Sequence, residues 1–268
     1  MRLIATILLT ASLAIAADQR ALVRVDADGW DVDTNQRQSI MPQADYVDCV
    51  LAMPFSKDRA GEYIDFSTSH NDGAQTNASA RPSWTNANGG AYDFDGVDDF
   101  IEVADDDSLD MGTSSFSLAA WINTSSDANY PRILCNRAGV GSPITSFFLQ
   151  QAAGNLRMRL YDSSTNKYEA SGDASTDVAT GAWAHIAATV DRVADVVTFY
   201  VNGIADGTGD ISAITESLST SNPMLIGVRD DGSPDGFFDG LIDDARIYDR
   251  ALTSNEVFTI HANTTGVH

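Results

Sequence analysis

The sequence predicts an all-β protein, an antiparallel sandwich of two sheets that ends in one short helix. Two segments, Phe94–Val103 and Phe238–Tyr248, each place a Gly-centred turn before a run in which apolar and polar residues alternate. Such alternation is typical of a strand with one buried face, because successive side chains point to opposite sides of a sheet. Many short strand patterns, Gly, Asn and Asp turns between them, and no alternating helices indicate antiparallel sheets.

Short apolar runs follow one another from Tyr46 onward. In one of them Phe116, Leu118, Ala120 and Ile122 share a face, as a core-facing strand requires. Strands are predicted, in chain order, at Val50–Phe55, Ala91–Phe94, Phe100–Val103, Phe116–Ile122, Arg132–Asn136, Ser146–Gln151, Leu156–Tyr161, Ala184–Val190, Val196–Val201, Met224–Val228 and Gly240–Tyr248.

One helix is predicted after the last strand. Thr253 and Glu256 have the spacing of a capping box, in which each side chain hydrogen-bonds a free backbone N–H of the first helical turn. Val257 and Ile260 would then dock the helix at an edge of the sandwich.

The N-terminus has the pattern of a secretory signal peptide over residues 1–17. Arg2 precedes the apolar run Leu3–Ile15, and Ala14–Ala16 supplies small residues for cleavage. The run is shorter than the roughly 20 residues of a membrane span. We therefore expect a protein that is secreted or held at the cell surface, without membrane insertion.

Residues 18–45 form a separate acidic segment, which is either a spacer or an added strand. The aspartates between Asp26 and Asn35 resemble a calcium-loop pattern, but the template would place Arg24 at the first ligand position and Asn35 at the last. An acidic turn is the better interpretation.

The acidic composition argues against one class of partner. The net charge is −22, and only five of the 38 acidic residues are glutamates. A surface of this sign repels phosphate backbones, so we expect no nucleic-acid partner. The two cysteines, Cys49 and Cys135, could pair as a disulfide in an exported chain or stay as two buried thiols.

Four segments together resemble the laminin-G-like, or concanavalin A-like, lectin and glucanase family: Phe94–Val103, Gly181–Asp191, Phe199–Gly203 and Phe238–Tyr248. The resemblance runs from about Tyr46 to Ala262. It implies that residues 46–264 form a jelly-roll domain with a short closing helix.

The resemblance also implies a calcium site. A loop of the family rich in Asp, Ser, Gly and Asn is similar to Asp65–Gly73, and calcium commonly ties that loop to the final strand. Thr68 and Ser69 stand where the family usually has Gly-Asn. The alternative is that Asp65 and Asp243 each cap backbone N–H groups without a metal. The predicted ligands of Ca²⁺ are Asp65, Ser67, His70 and Asp243.

Catalytic motifs are missing from the sequence. The related β-glucanases carry Glu-x-Asp-x-(x)-Glu on one strand, and no such string occurs here. There is no Gly-x-Ser-x-Gly elbow, and the four histidines lack zinc spacing. We therefore expect no enzymatic activity.

Sugar recognition would need an exposed aromatic ring, since a pyranose face stacks on a ring. Tyr130, which precedes a proline in a polar loop, is the strongest candidate for such a ring.

The sequence thus favours a secreted, non-catalytic module that binds an extracellular glycan or a surface protein, with calcium ordering part of the rim. One alternative is a self-associating structural or adhesive subunit that uses residues 18–45 as an arm. A weaker alternative is a glycan-degrading enzyme that uses an aspartate pair.

Overall fold

A computed structural model of the chain describes residues 25–26, 29–30, 47–56, 58–75, 77–86, 89–126, 130–136, 146–162, 164, 167–171, 176–229 and 235–265. The predicted signal peptide 1–17 and most of segment 18–45 lie outside these residues. Within that segment, β1 (Val25–Asp26) and β2 (Gly29–Trp30) pair as a small antiparallel ribbon. The ribbon joins neither of the larger sheets that the described residues form.

The remaining described strands follow one another along the chain from Cys49 to Tyr248. They are β3 (Cys49–Met53), β4 (Glu62–Tyr63), β5 (Gly73–Ala74), β6 (Ser83–Thr85), β7 (Ala91–Asp95), β8 (Ile101–Val103), β9 (Phe116–Asn123), β10 (Arg132–Cys135), β11 (Ser146–Ala152), β12 (Asn155–Tyr161), β13 (Lys167–Ser171), β14 (Trp183–Asp191), β15 (Val196–Val201), β16 (Ile204–Asp210), β17 (Met224–Ile226) and β18 (Asp239–Tyr248).

These strands make two antiparallel sheets of eight strands each within the described part of the chain. The first sheet has the order β16-β15-β14-β9-β18-β7-β6, and β3 pairs with the second half of β18. The second sheet has the order β13-β12-β11-β10-β17-β8-β5-β4. The prediction of an all-β, two-sheet antiparallel sandwich is confirmed.

The hydrophobic core lies between the two sheets. Phe116, Leu118, Ala120 and Ile122 of β9 are fully buried in it, as their shared face predicts. On the opposing sheet, alternate residues of β12 are buried in the same cluster. Burial of each large apolar side chain contributes about 1.5–3 kcal/mol, so this layer is the main source of stability.

The predicted strands agree with the observed ones to within two residues at each end. Within the two large sheets, the strands that the sequence did not indicate are β4, β5, β6, β13 and β16. β4 and β5 have two residues each, too few to show an alternation. β16 contains two glycines, and Ile204, its one large apolar residue, is exposed, as suits a strand at a sheet edge.

The predicted helix is present as α1 (Ser254–Thr264). The side chain of Thr253 accepts from the N–H of Glu256, and the Glu256 carboxylate accepts from the N–H of Thr253 at 2.7 Å, which completes the predicted capping box. Val257 and Ile260 are buried in a second apolar cluster on the outer face of the first sheet.

A buried ion pair lies on the same outer face. Arg246 is fully buried and binds Asp244 through Nε and Nη2, both at 2.8 Å. Asp244 has a left-handed backbone (φ 47°) where the register of β18 shifts between Asp243 and Arg246. The bulge turns the Asp244 carboxylate towards the guanidinium, so the two charges neutralise each other away from water.

Both cysteines are free and buried, Cys49 on β3 of the first sheet and Cys135 on β10 of the second. Of the two arrangements left open by the sequence, the structure contains the separate thiols. No described helix is long and apolar enough to cross a membrane.

Candidate functional site

The predicted calcium loop folds as a turn around the carboxylate of Asp65, which is fully buried. Its Oδ1 accepts the backbone N–H groups of Ala52 at 2.7 Å and Ser67 at 2.8 Å. Its Oδ2 accepts the Ser67 hydroxyl at 2.6 Å and the N–H of Asn71 at 2.7 Å. Each carboxylate oxygen therefore serves two protein donors, which is the backbone-capping arrangement.

Asp243 is on the other side of β3 from this turn. Ala52 donates its N–H to Asp65 along one edge of β3, whereas the other edge pairs with β18. The buried Asp243 accepts the N–H of Asp244 at 2.6 Å. Burial, and then the neighbouring Asp244 carboxylate, raise the pKa of Asp243 well above its usual range.

The predicted metal ligands are not brought together as one cluster. Among the described residues, the ligand atoms of Asp65, His70 and Asp243 do not all lie within 4.8 Å of one another. His70 is exposed, and the Ser67 hydroxyl is bonded to Asp65. Calcium needs six to eight oxygens around one point, most of which main-chain carbonyls and water would have to supply here. Calcium binding by the protein stays a prediction.

The turn Asp95–Asp99 gathers carboxylates instead. Oxygens of Asp95, Asp98 and Asp99 lie within 4.8 Å of one another, the one such group of three in the described part of the chain. Asp99 is 7% exposed, and its Oδ2 accepts the N–H of Asp95 at 3.0 Å. Burial, with a smaller contribution from the nearby carboxylates, raises the pKa of Asp99 to about 6. The turn thus carries an electrostatic cost at neutral pH.

The outer face of the second sheet carries a row of polar side chains. Leu156, Met158 and Leu160 of β12 face the core, so the half-exposed Arg157 and Arg159 point outward. Gln150 of β11 is in register with Arg157 on one side and with Arg132 of β10 on the other. Residues directly opposite in an antiparallel pair share a face, so these side chains are neighbours.

Tyr130 lies at the edge of this row and is 54% exposed. The Cζ atom of Arg157 is 5.9 Å from the centre of its ring, a cation–π distance. The carbonyl of Tyr130 accepts a hydrogen bond from Nη1 of Arg132. The ring predicted to be exposed is therefore exposed, and its backbone and its ring each contact an arginine of the row.

Several arginine side chains lie close to Tyr130. Arg132 is 4% exposed, and burial, followed by the nearby charge of Arg229, lowers its pKa to about 10. Arg159 also lowers it, whereas Asp235, which forms an ion pair with Arg229, raises it. Several guanidinium groups are thus close enough to repel one another in a protein whose net charge is −22.

The other end of the same face carries two glutamates. Glu62 of β4 and Glu102 of β8 both pair in register with Ala74 of β5, and all three residues are exposed. With strands about 4.8 Å apart, the two glutamates are about 10 Å apart at their Cα atoms. The sequence separates them by 40 positions, so no local motif could have indicated this pair.

Comparison with known proteins assigns the family. The model of the "Concanavalin A-like lectin/glucanases superfamily", a laminin-G-type model, matches residues 94–258. The match covers more than half of the chain, and the protein therefore belongs to this superfamily. No curated protein matches the sequence.

Several solved structures with a similar fold are binding domains of toxins. The binding domain of Paraclostridial Mosquitocidal Protein 1 superposes with a TM-score of 0.62 at 16% identity, covering 80% of this chain and 52% of its own. The Botulinum neurotoxin serotype G binding domain has a TM-score of 0.62, 16% identity and coverages of 80% and 50%. The serotype D ligand binding domain, solved in complex with N-acetylneuraminic acid, has a TM-score of 0.61, 15% identity and the same coverages. The chain spans about half the length of these domains, and the likeness is one of fold.

Proposed function

We propose that the protein is a secreted, non-catalytic recognition module that binds an extracellular glycan through the outer face of its second sheet. The proposal is supported chiefly by Tyr130, an exposed ring beside outward-pointing polar side chains on a rigid sheet. Aromatic rings with a few well-placed polar groups are typical of ligand sites. The fold is shared with toxin binding domains, one of them solved in complex with a sugar acid.

The test uses a matched pair of exposed rings. Tyr130 is 54% exposed on the proposed face, and Phe258 is 53% exposed on α1. On a glycan array, the purified protein should bind at least one carbohydrate. Tyr130→Ala should weaken that binding about tenfold, the loss expected for a central contact residue, and Phe258→Ala should leave it unchanged. Equal binding by wild type and Tyr130→Ala, or no binding to any glycan, would refute the proposal.

A second candidate function has one specific observation in its favour. Glu62 and Glu102 are about 10 Å apart at their Cα atoms, a spacing from which their carboxyl groups can reach the 6.5–9.5 Å of inverting glycosidases. The superfamily includes glucanases. Incubation of the protein with labelled polysaccharides decides between the two functions. New reducing ends that disappear in Glu102→Gln would establish hydrolysis, and their absence supports the binding module.

Calcium remains a proposal of its own. A bound ion that orders the rim would raise the unfolding midpoint, because a ligand of the folded state stabilises it by mass action. The protein should then melt several degrees lower in a chelator, and an unchanged midpoint would contradict the proposal.

A further inference from the structure

The arginines beside Tyr130 form an unusual local surface. Four of the 16 basic residues of the chain lie in or next to it: Arg132, Arg157, Arg159 and Arg229. Among the described residues, Asp235 forms an ion pair with Arg229. On the backbone, Glu169 of β13 is opposite Arg159. We name this surface, which gathers several guanidinium groups in a chain of net charge −22, the arginine face.

Maintaining the arginine face costs stability. Arg132 is almost completely buried, and its pKa is lowered by burial and by neighbouring positive charge. Positive charges placed this close to one another disfavour one another. Clusters of this kind are typical of sites that meet an opposite charge.

An unused polar group lies within the row. The side chain of Gln150 is fully buried between Arg132 and Arg157, and neither its amide nitrogen nor its oxygen has a hydrogen-bond partner among the described residues. A buried amide without partners costs about 1–3 kcal/mol, so native proteins rarely keep one without a reason. Gln150 is thus a buried polar group of the row whose hydrogen-bonding capacity the described residues leave unused.

We infer that the arginine face binds an anionic group, a carboxylate or a sulfate, carried by an acidic glycan. Guanidinium groups present planar, paired N–H donors that match the oxygens of such groups. The half-exposed Arg157 is the accessible donor, and the ring of Tyr130 beside it offers a stacking surface for the sugar. This inference rests on the proposed function and specifies its ligand class.

The overall charge of the protein determines the conditions of the test. Its negative surface repels a polyanion at low salt, whereas at 0.15 M salt charges more than about 8 Å apart are largely screened. Direct contacts between arginine and an anionic group persist under these conditions. Binding should therefore be measured near 0.15 M salt and with short oligosaccharides.

The experiment compares three hexasaccharides of equal length: one of uronic acids, one sulfated and one neutral. Isothermal titration should detect binding of the uronic or the sulfated probe, and these two arms identify the anionic group. Arg157→Gln should weaken that binding about tenfold, Arg157→Lys less, and Arg157→Glu should abolish it. Arg250→Gln is the matched control, because it also removes one positive charge but lies beside α1, bound to Asp48 and Glu256.

The outcomes separate this inference from the proposed function. Equal affinity for neutral and acidic probes, or wild-type affinity in Arg157→Glu, would overturn the inference and leave glycan recognition standing. Failure of every glycan to bind would overturn both. Circular dichroism of each variant confirms that it is folded.

Discussion

Replacement of Asp65 by alanine tests whether this carboxylate stabilises the fold by capping backbone groups. The side chain is fully buried and accepts four hydrogen bonds, from the N–H groups of Ala52, Ser67 and Asn71 and from the Ser67 hydroxyl. Ala52 lies on β3, 13 positions before Asp65, so the carboxylate ties the turn to the edge of β3.

The expected loss of stability follows from the hydrogen-bond donors that Asp65→Ala leaves without an acceptor. The Ser67 hydroxyl can rotate to another acceptor, whereas the three backbone N–H groups cannot move. Each buried, unsatisfied donor costs about 1–3 kcal/mol, and neighbouring losses are not fully additive. Asp65→Ala should therefore lower the free energy of unfolding by roughly 3–6 kcal/mol, equivalent to roughly 10–20 °C in the midpoint for a chain of this size. Asp65→Asn keeps one acceptor oxygen and should lose about half as much.

Urea denaturation followed by tryptophan fluorescence measures the difference, with and without chelator. Asp106→Ala is the control, because Asp106 is exposed and caps the N–H of Ser108 at 2.9 Å. A loss no larger than that of the control would refute the capping argument. A loss seen only with calcium present, and absent in chelator, would show that Asp65 acts through a metal instead.

Three further predictions concern stability. Asp99 has a pKa raised to about 6, above its unfolded value of about 3.9, so its charge destabilises the fold above pH 6 and this cost disappears as the pH falls towards 4. Asp99→Asn, which can still accept the N–H of Asp95, should raise the free energy of unfolding by about 1–3 kcal/mol at pH 8 and by little at pH 4. Equal increases at the two pH values would contradict this. Thr253→Ala should cost about 1 kcal/mol in urea denaturation and Thr253→Ser almost nothing, since serine also caps; equal costs would exclude the capping box. Asp244→Ala should cost about 3–5 kcal/mol because it leaves Arg246 buried without its ion pair, and a loss below 1 kcal/mol would contradict that assignment.

The local patterns of the sequence predict much of the fold. Alternation in Phe116–Asn123 and Asn155–Tyr161 indicates both strands and their buried faces, because the period of a strand is set by its own backbone. The cap at Thr253 is equally local. Strands of two residues, such as Glu62–Tyr63, exist because a neighbouring strand pairs with them, and they leave no such pattern.

The candidate site could be predicted only in part. The exposure of Tyr130 follows from its polar loop, and the outward direction of Arg157 and Arg159 follows from alternation. The placement of Arg132 and Gln150 beside them depends on the register of three strands, which the sequence does not specify. Backbone capping by Asp65 was one of the two alternatives that the sequence left open, but its partner Ala52 on β3 follows only from the fold.

Mapping of the bound ligand by nuclear magnetic resonance tests the central claim most directly. Titration of the ¹⁵N-labelled protein with the acidic hexasaccharide that binds should shift the amide signals of β10, β11 and β12 together with that of Tyr130. Shifts confined to the first sheet or to the turn around Asp65 would contradict recognition by the arginine face.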